Sequence, residues 1–94
     1  MRYKDKIVLI TGSGSGIGKA AALAFSKEGG KIIVSDINED NGLKTVSEII
    51  KNKGVATFFK ADVSNFGMVK NLMDFILKKY GKLDVAINNA GVGG

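Results

Sequence analysis

Four short, mainly apolar runs alternate along the chain with three segments whose apolar residues recur at helical spacing. The runs are Ile7–Ile10, Lys31–Asp36, Val55–Ala61 and Leu83–Asn88. Short apolar runs rich in β-branched residues are typical of strands that are buried on both faces of a parallel sheet. The order βαβαβαβ therefore predicts an α/β fold: a doubly wound parallel sheet with right-handed crossovers, four strands and three helices.

The three predicted helices each carry apolar residues every three or four positions. The residues expected to face inward are Ile17, Ala20, Ala21, Ala24 and Phe25, then Leu43, Val46, Ile49 and Ile50, then Phe66, Val69, Leu72, Met73, Ile76, Leu77 and Tyr80. Ser64 is the expected N-cap of the third helix. Glycines at 29, 54 and 81 are expected to end the helices.

Length and composition predict one domain over residues 1–94 and exclude several kinds of site. The chain has 94 residues with no cysteine and no histidine, which removes disulfides, thiolate nucleophiles, Ser-His-Asp triads and zinc sites built from those ligands, so no metal site is predicted. It contains no run of eighteen apolar residues, and its charged start is followed by only four apolar residues. We therefore expect a cytoplasmic protein without a membrane span or signal peptide.

The basic charge does not indicate a nucleic-acid or membrane surface. The formal net charge is +5, from 14 Lys and Arg against 9 Asp and Glu. The lysines are scattered, and their closest groupings lie near predicted helix ends, where cations complement the negative end of the helix dipole. No basic stripe carries interleaved aromatic residues. We expect neither nucleic acid nor membrane as a partner.

A glycine-rich turn, Thr11–Gly18, joins the first predicted strand to the first helix. Glycine lets the backbone adopt positive φ and lets a ligand approach closely, and the helix that follows offers free N–H groups to a pyrophosphate. A P-loop is excluded because Ser13 and Ala20 occupy two of its required positions. The pattern G-x-G-x-x-G also fails, since Ile17 or Lys19 falls where the last glycine belongs.

An aspartate, Asp36, ends the second strand twenty residues after Gly16. Dinucleotide-binding folds place a carboxylate there to accept hydrogen bonds from the adenosine ribose hydroxyls. Such a carboxylate repels the 2′-phosphate of NADP, and the neighbouring Ser15 and Ile37 carry no charge that could neutralise it. The pattern therefore favours NAD(H) over NADP(H). The alternative is an aspartate that caps the turn into the next helix.

Two further polar groups follow the third and fourth strands at the carboxyl edge of the predicted sheet, where ligands bind in open α/β folds. They are Asp62-Val63 and Asn88-Asn89-Ala90-Gly91. The two amides can tie adjacent strand ends together, and the small residues leave room for a cofactor. Taken singly, Asp62 also fits a loop carboxylate before a helix cap, and the Asn-Asn pair also fits an ordinary turn.

In this order and spacing, the motifs resemble the N-terminal cofactor-binding portion of the short-chain dehydrogenase/reductase (SDR) family. That family has a Rossmann-type fold and transfers hydride between nicotinamide and an alcohol or carbonyl carbon. The resemblance implies that Asp62 and Val63 contact the adenine ring. The cofactor-binding residues that it implies are Gly12, Gly14, Ser15, Gly16, Ile17, Gly18, Asp36, Asp62, Val63, Asn89, Ala90 and Gly91.

No catalytic residue is assigned within this chain. SDR enzymes use a Tyr-x-x-x-Lys motif with a serine and an asparagine, whereas Tyr3 and Tyr80 are followed four positions later by Ile7 and Asp84. The resemblance therefore implies a domain that is incomplete at its C-terminus, from an NAD-dependent oxidoreductase with a small-molecule alcohol or carbonyl substrate. It also implies a homo-oligomer, a dimer or tetramer.

Two other functions stay open at this point. One is a non-catalytic dinucleotide-binding module. The other is a fragment of an S-adenosylmethionine-dependent methyltransferase, because Gly12, Gly14 and Gly16 satisfy G-x-G-x-G. Whatever the function, an apolar fourth strand at the sheet edge, with one sheet face covered by a single helix, predicts that the 94 residues alone are unstable or self-associating.

Overall fold

The elements of the computed structural model follow the expected alternation. The structure describes residues 2–14 and 16–89, so Ser15, Ala90 and Gly91 from the predicted site lie outside the described residues. Within them the elements are β1 (Ile7–Thr11), α1 (Gly16–Lys27), β2 (Lys31–Asp36), α2 (Glu39–Lys51), β3 (Val55–Lys60), α3 (Phe66–Tyr80) and β4 (Val85–Asn88).

The four strands form one parallel sheet in the order β3-β2-β1-β4. Thr11 lies opposite Ser35 on one side and Asn88 on the other, so the carboxyl ends of β2, β1 and β4 are level. After β1 the chain builds the sheet outward through β2 and β3 and then returns to the other side of β1. Such a reversal of strand order opens a crevice at the carboxyl edge. The predicted Rossmann-type doubly wound sheet is confirmed.

Each face of the sheet has its own apolar core, because successive strand residues point to opposite faces. Helices α1 and α2 cover one face, whose buried residues are Val8, Ile10, Ala22, Ile32, Val34 and Ile49. Helix α3 covers the other, whose buried residues are Ile7, Leu9, Ile33, Ala61, Leu72 and Ile76. The two cores fix the strand ends from which the site is built.

The predicted inward face of α1 is only partly correct, because Ala21 and Phe25 pack against the core whereas Ile17, Ala20 and Ala24 are exposed. Ile17 is 75% exposed, and the buried residues of α1 are Gly18 and Ala22. A Cβ at Gly18 would overlap the carbonyl oxygen of Gly12, so the helix turns this glycine, and Ala22 one turn later, toward the sheet. Close backbone approach overrides the apolar spacing here. Phe66, the first residue of α3, is likewise 90% exposed instead of inward-facing, and the predicted inward residues Leu43, Ile50 and Leu77 are exposed as well.

The C-terminal end of α3 agrees with the prediction, and its N-cap differs by one residue. Gly81 ends the helix with φ of 77° and donates its N–H to Leu77, as predicted. The N-cap is Asn65 and not Ser64, because the Asn65 side-chain oxygen accepts the Met68 N–H at 3.1 Å. Ser64 bonds to Asp62 instead.

Strand β4 begins two residues later than predicted. Asp84, the residue before β4, is hydrogen-bonded to the first residue of β1. The Asp84 N–H donates to the Ile7 carbonyl at 3.0 Å, and the Ile7 N–H donates to the Asp84 carboxylate at 2.8 Å. The bond from the Ile7 N–H holds the pKa of Asp84 below its usual range, and Lys82, 3.2 Å away, acts in the same direction. These bonds fix the start of β4 against β1.

Candidate functional site

A crevice of about 500 Å³ opens at the carboxyl edge of the sheet. Its volume lies within the range of ordinary small-ligand pockets, roughly 300–1,000 Å³. The lining residues are Gly12, Asp36, Ile37, Ala61, Asp62, Val63 and Ser64. The structure thus brings four of the predicted site residues, Gly12, Asp36, Asp62 and Val63, around one space.

The glycine loop places the start of α1 directly over the end of β1. Gly12 has φ of 66°, in the left-handed region. A Cβ at Gly18 would overlap the Gly12 carbonyl oxygen and lie 2.7 Å from the Asn89 amide nitrogen. Glycine at position 18 is therefore required by packing of the loop against its own helix.

The first turn of α1 has room for an anionic ligand. Gly16 has φ of 59°, and a Cβ built there meets no described atom within 4 Å. The first N–H groups of a helix have no partner within the helix and lie at its positive end. No acidic residue occupies this first turn. The donor set and the open space fit a diphosphate group.

The Asp36 carboxylate lies between the glycine loop and the start of α2. One carboxylate oxygen accepts the Gly14 N–H at 2.8 Å and the other accepts the Asn38 N–H at 2.8 Å. Each oxygen can accept about two hydrogen bonds, so both keep capacity for a ligand hydroxyl. The N-cap of α2 is Asn38, whose side chain accepts the Asn41 N–H. The bond from the Asn38 N–H to Asp36 also fits the alternative of an aspartate that caps the turn into α2.

Gly14 contacts protein groups on two sides. Its N–H is committed to Asp36, and a Cβ at this position would lie 2.7 Å from the Asp36 carboxylate and 2.8 Å from Asn41 Cβ. Glycine at this position therefore lets α2 approach the loop. The first N–H groups of α1 come after Gly14 and, as at any helix start, have no partner within the helix.

Two buried hydroxyls support the loop, and the sequence analysis missed both. Ser13 is fully buried, and its hydroxyl donates to the Ile10 carbonyl at 2.7 Å and accepts the Ser35 N–H at 3.2 Å. Thr45 of α2, also fully buried, donates its hydroxyl to the Ser13 carbonyl at 2.9 Å. The available signal was Thr45 lying one helical turn before Ile49, on the inward side of α2.

Asp62 is held in a tight turn beside the crevice. One of its carboxylate oxygens accepts the Ser64 hydroxyl at 2.6 Å and the Ser64 N–H at 2.9 Å. These two bonds, the hydroxyl first, lower the pKa of Asp62 from its ordinary value of 3.8. The carboxylate is therefore ionised at neutral pH and acts as a hydrogen-bond acceptor at the crevice wall.

The amides at the end of β4 tie adjacent strand ends together, as expected from the sequence. The Thr11 hydroxyl donates to the Asn88 side-chain oxygen at 2.8 Å and accepts the Asn89 N–H at 3.1 Å. The Asn89 side-chain amide donates to the Gly12 carbonyl at 3.3 Å. Asn89 thereby connects β4 to the glycine loop.

Among residues 2–14 and 16–89, no group of three or more His, Cys, Asp or Glu side chains could hold a metal ion. No helix of these residues is both long and apolar enough to cross a membrane.

Comparison with known proteins places the chain among dehydrogenases. Residues 6–94 match the short chain dehydrogenase family. A 3beta-hydroxysteroid dehydrogenase of Mediterraneibacter gnavus is 46% identical over 93 residues, which is 99% of this chain and 34% of that protein. This chain thus spans about a third of the length of that relative.

Solved structures agree with this result. A hydroxysteroid dehydrogenase from Escherichia coli superposes with a TM-score of 0.94 at 41% identity, over 99% of this chain and 40% of that one. A 7 alpha-hydroxysteroid dehydrogenase complexed with NADH and 7-oxo glycochenodeoxycholic acid superposes with a TM-score of 0.88 at 38% identity, over 90% of this chain and 33% of that one.

Proposed function

Because this chain belongs to the short-chain dehydrogenase family, we propose that it is a single dinucleotide-binding domain that supplies the NAD(H)-binding half of an oxidoreductase. The carboxylate of Asp36 beside the glycine loop is the observation that carries the proposal. The family match is to dehydrogenases and gives no support to a methyltransferase, the third hypothesis from the sequence.

The proposed site divides into three parts. The first turn of α1, at Gly16–Gly18, would hold the diphosphate, and Asp36 would accept hydrogen bonds from the adenosine ribose. Asp62 and Val63 would contact the adenine, and Asn89 would line the path from the loop toward the nicotinamide. When bound, the nicotinamide supplies the hydride donor or acceptor, and the residues of this chain bind and orient it.

The finer proposal is preference for NAD(H) over NADP(H). A carboxylate with both oxygens available to ribose hydroxyls is repelled by a 2′-phosphate. Ile37, which follows Asp36 and lines the crevice, is uncharged. Lys60 is the register partner of Asp36 on β3, and the structure shows no ion pair between them among the described residues. Lys60 is a neighbouring positive charge that favours a 2′-phosphate, and the proposal is that the Asp36 carboxylate beside the ribose position outweighs it.

The substrate is proposed to be a small-molecule alcohol or carbonyl compound. The hydroxysteroid dehydrogenases among its relatives make a steroid hydroxyl the first substrate to test. No residue of this chain is assigned to the chemical step. Tyr80 packs on the α3 side of the sheet, with its hydroxyl 3.4 Å from the Thr57 hydroxyl. A homo-oligomeric, cytoplasmic enzyme is the corresponding proposal for the whole protein.

Calorimetric titration of the protein that contains these residues with NADH and with NADPH tests the proposal. We expect NADH to bind more tightly than NADPH. We expect Asp36→Ala to lower the affinity for NADH by about tenfold to a hundredfold through loss of two charge-assisted hydrogen bonds. The affinity of the same variant for NADPH should fall less or should rise. Asp74→Ala, which removes the same charge from an exposed position of α3 outside the crevice, should leave the ratio of the two affinities unchanged. Absence of NADH binding, or an unchanged ratio in Asp36→Ala, contradicts the proposal.

A further inference from the structure

The peptide group between residues 13 and 14 is hydrogen-bonded at both of its ends. Its carbonyl, from Ser13, accepts the Thr45 hydroxyl at 2.9 Å. Its N–H, from Gly14, donates to the Asp36 carboxylate at 2.8 Å. In a planar trans peptide the C=O and N–H point in opposite directions, so this one rigid unit connects α2 to Asp36.

Thr45 is well placed to control the orientation of that peptide. It is 0% exposed and lies within α2, 32 residues along the chain from Ser13. Its hydroxyl is closer to the Ser13 carbonyl, at 2.9 Å, than to the carbonyl of Asn41 in its own helix, at 3.3 Å. The shorter contact crosses from the helix to the loop, although a threonine within a helix commonly bonds back to its own helix.

The other bonds of this region fix Ser13 but not the Gly14 N–H. The Ser13 side chain and N–H are bonded to Ile10 and Ser35, which belong to β1 and β2. These bonds anchor the N–H and the side chain of Ser13 to the sheet. Rotation of the following peptide plane is restrained at its carbonyl by Thr45 and at its N–H by Asp36. Loss of the Thr45 hydroxyl therefore frees one end of the peptide and leaves a buried carbonyl without that donor.

We propose that Thr45 is a positioning residue for Asp36 and thereby sets the preference for NAD(H) over NADP(H). The inference rests on the proposed function, because it assumes that Asp36 holds the ribose. Through the 13–14 peptide, the Thr45 hydroxyl orders the N–H that holds the carboxylate before any ligand arrives. A carboxylate ordered in advance loses less conformational freedom on binding, and consecutive hydrogen bonds strengthen one another.

Thr45→Val tests the proposal because it removes the hydroxyl and keeps the branched shape. We expect NADH affinity to fall by about threefold to tenfold, the equivalent of one buried hydrogen bond, while NADPH changes less. Hydrogen exchange at the Gly14 amide, measured by NMR without cofactor, should become faster. Thr45→Ser, which restores a hydroxyl, should restore both the ratio of affinities and the exchange rate.

Ile49→Val is the matched control, since Ile49 is buried one turn later in α2 and packs on the sheet. It should lower the melting temperature and leave both the affinity ratio and the Gly14 exchange rate unchanged. If Thr45→Val does not fold, Thr45→Ser and Thr45→Ala form a second pair, which differs by the hydroxyl oxygen.

The outcomes separate this proposal from the proposed function. If the unsubstituted protein prefers NADH and the hydroxyl-deleted variant keeps the same ratio and the same Gly14 exchange, the role of Thr45 is overturned and the function stands. A threonine that serves only for packing gives the same result as Ile49→Val. If the unsubstituted protein shows no preference for NADH, the proposed cofactor preference fails, and the role assigned to Thr45 fails with it.

Discussion

Two glycines of the loop are glycine for different physical reasons. Gly16 has φ of 59° with open space around it, so its constraint is the left-handed backbone. Gly18 has no such backbone constraint, but a Cβ there would overlap the Gly12 carbonyl oxygen. The first keeps space free for a ligand, and the second lets α1 pack on the loop.

Gly18→Ala should therefore be strongly destabilising. The added methyl group meets backbone, which cannot move aside as a flexible side chain can, and we expect a loss of about 1–3 kcal/mol in the free energy of unfolding. Chemical denaturation measures this loss. NADH affinity should fall with it, because α1 must move away from Gly12 to accommodate the methyl group.

The control for this prediction is Gly67→Ala, in the first turn of α3. A Cβ there makes only an ordinary 3.4 Å contact with the Asn65 side chain, so alanine should stabilise the helix by up to about 1 kcal/mol. A Gly18→Ala protein that is as stable as the unsubstituted one would show that the loop yields easily, against the close packing of the structure.

Sequence reasoning found the residues whose chemistry is visible and missed those that act through the backbone. Asp36 could be predicted because a carboxylate after a buried strand, at a set distance from a glycine turn, is unusual in itself. The bond between Ser13 and Thr45 could not, because it joins residues 32 apart; the sequence offers only the inward position of Thr45 on α2. Which hydroxyl meets which carbonyl depends on how α2 packs against the sheet.

At the scale of the elements, the alternation of strands and helices could be predicted. The inward faces of α2 and α3 could be predicted at Ile49, Leu72 and Ile76, which are buried, whereas the rotation of α1 could be predicted only in part. All seven elements follow from apolar runs and glycine stops. Apolar spacing, however, gives a helix face only when side-chain burial determines the packing. In α1 the packing is determined by the backbone contact of Gly18 with Gly12, which leaves Ile17 exposed.

The start of α3 offers a test between the predicted and the observed N-cap. Asn65→Ala removes the side-chain oxygen that accepts the Met68 N–H, and we expect a loss of about 1 kcal/mol in unfolding free energy. Thermal or chemical unfolding measures it. The loss should be larger than the loss from Ser64→Ala, because the Asn65 side chain satisfies one of the first N–H groups of the helix.

Ser64→Ala is the informative comparison, since sequence reasoning placed the cap there. It should leave the cap bond intact and instead raise the pKa of Asp62 toward 3.8, which NMR titration of the carboxyl group detects. Because the bonds from Ser64 lower the folded-state pKa, their stabilisation is present above the unfolded-state pKa. It is lost as the pH falls through the folded-state value. A larger loss of stability from Ser64→Ala than from Asn65→Ala at neutral pH contradicts the assignment.

At the scale of the whole molecule, the two faces of the sheet are covered unequally. Two helices pack on the face of Val8 and Ile10, whereas α3 alone covers the other. Strand β4 pairs with β1 and has no second strand partner within residues 2–14 and 16–89. Ala86 of β4 is exposed. An uncovered strand edge of this kind is a template for pairing with another chain.

We therefore expect residues 1–94, expressed by themselves, to associate through β4, and sedimentation velocity to show species larger than a monomer. Ala86→Lys should reduce this association, because a charge on an edge strand opposes strand pairing. Ser47→Lys adds the same charge at an exposed position of α2, so it controls for net charge alone. If both lysine variants reduce association equally, general charge repulsion and not the β4 edge is responsible. A monomer that melts sharply in calorimetry would show that the half-covered sheet is stable without a partner.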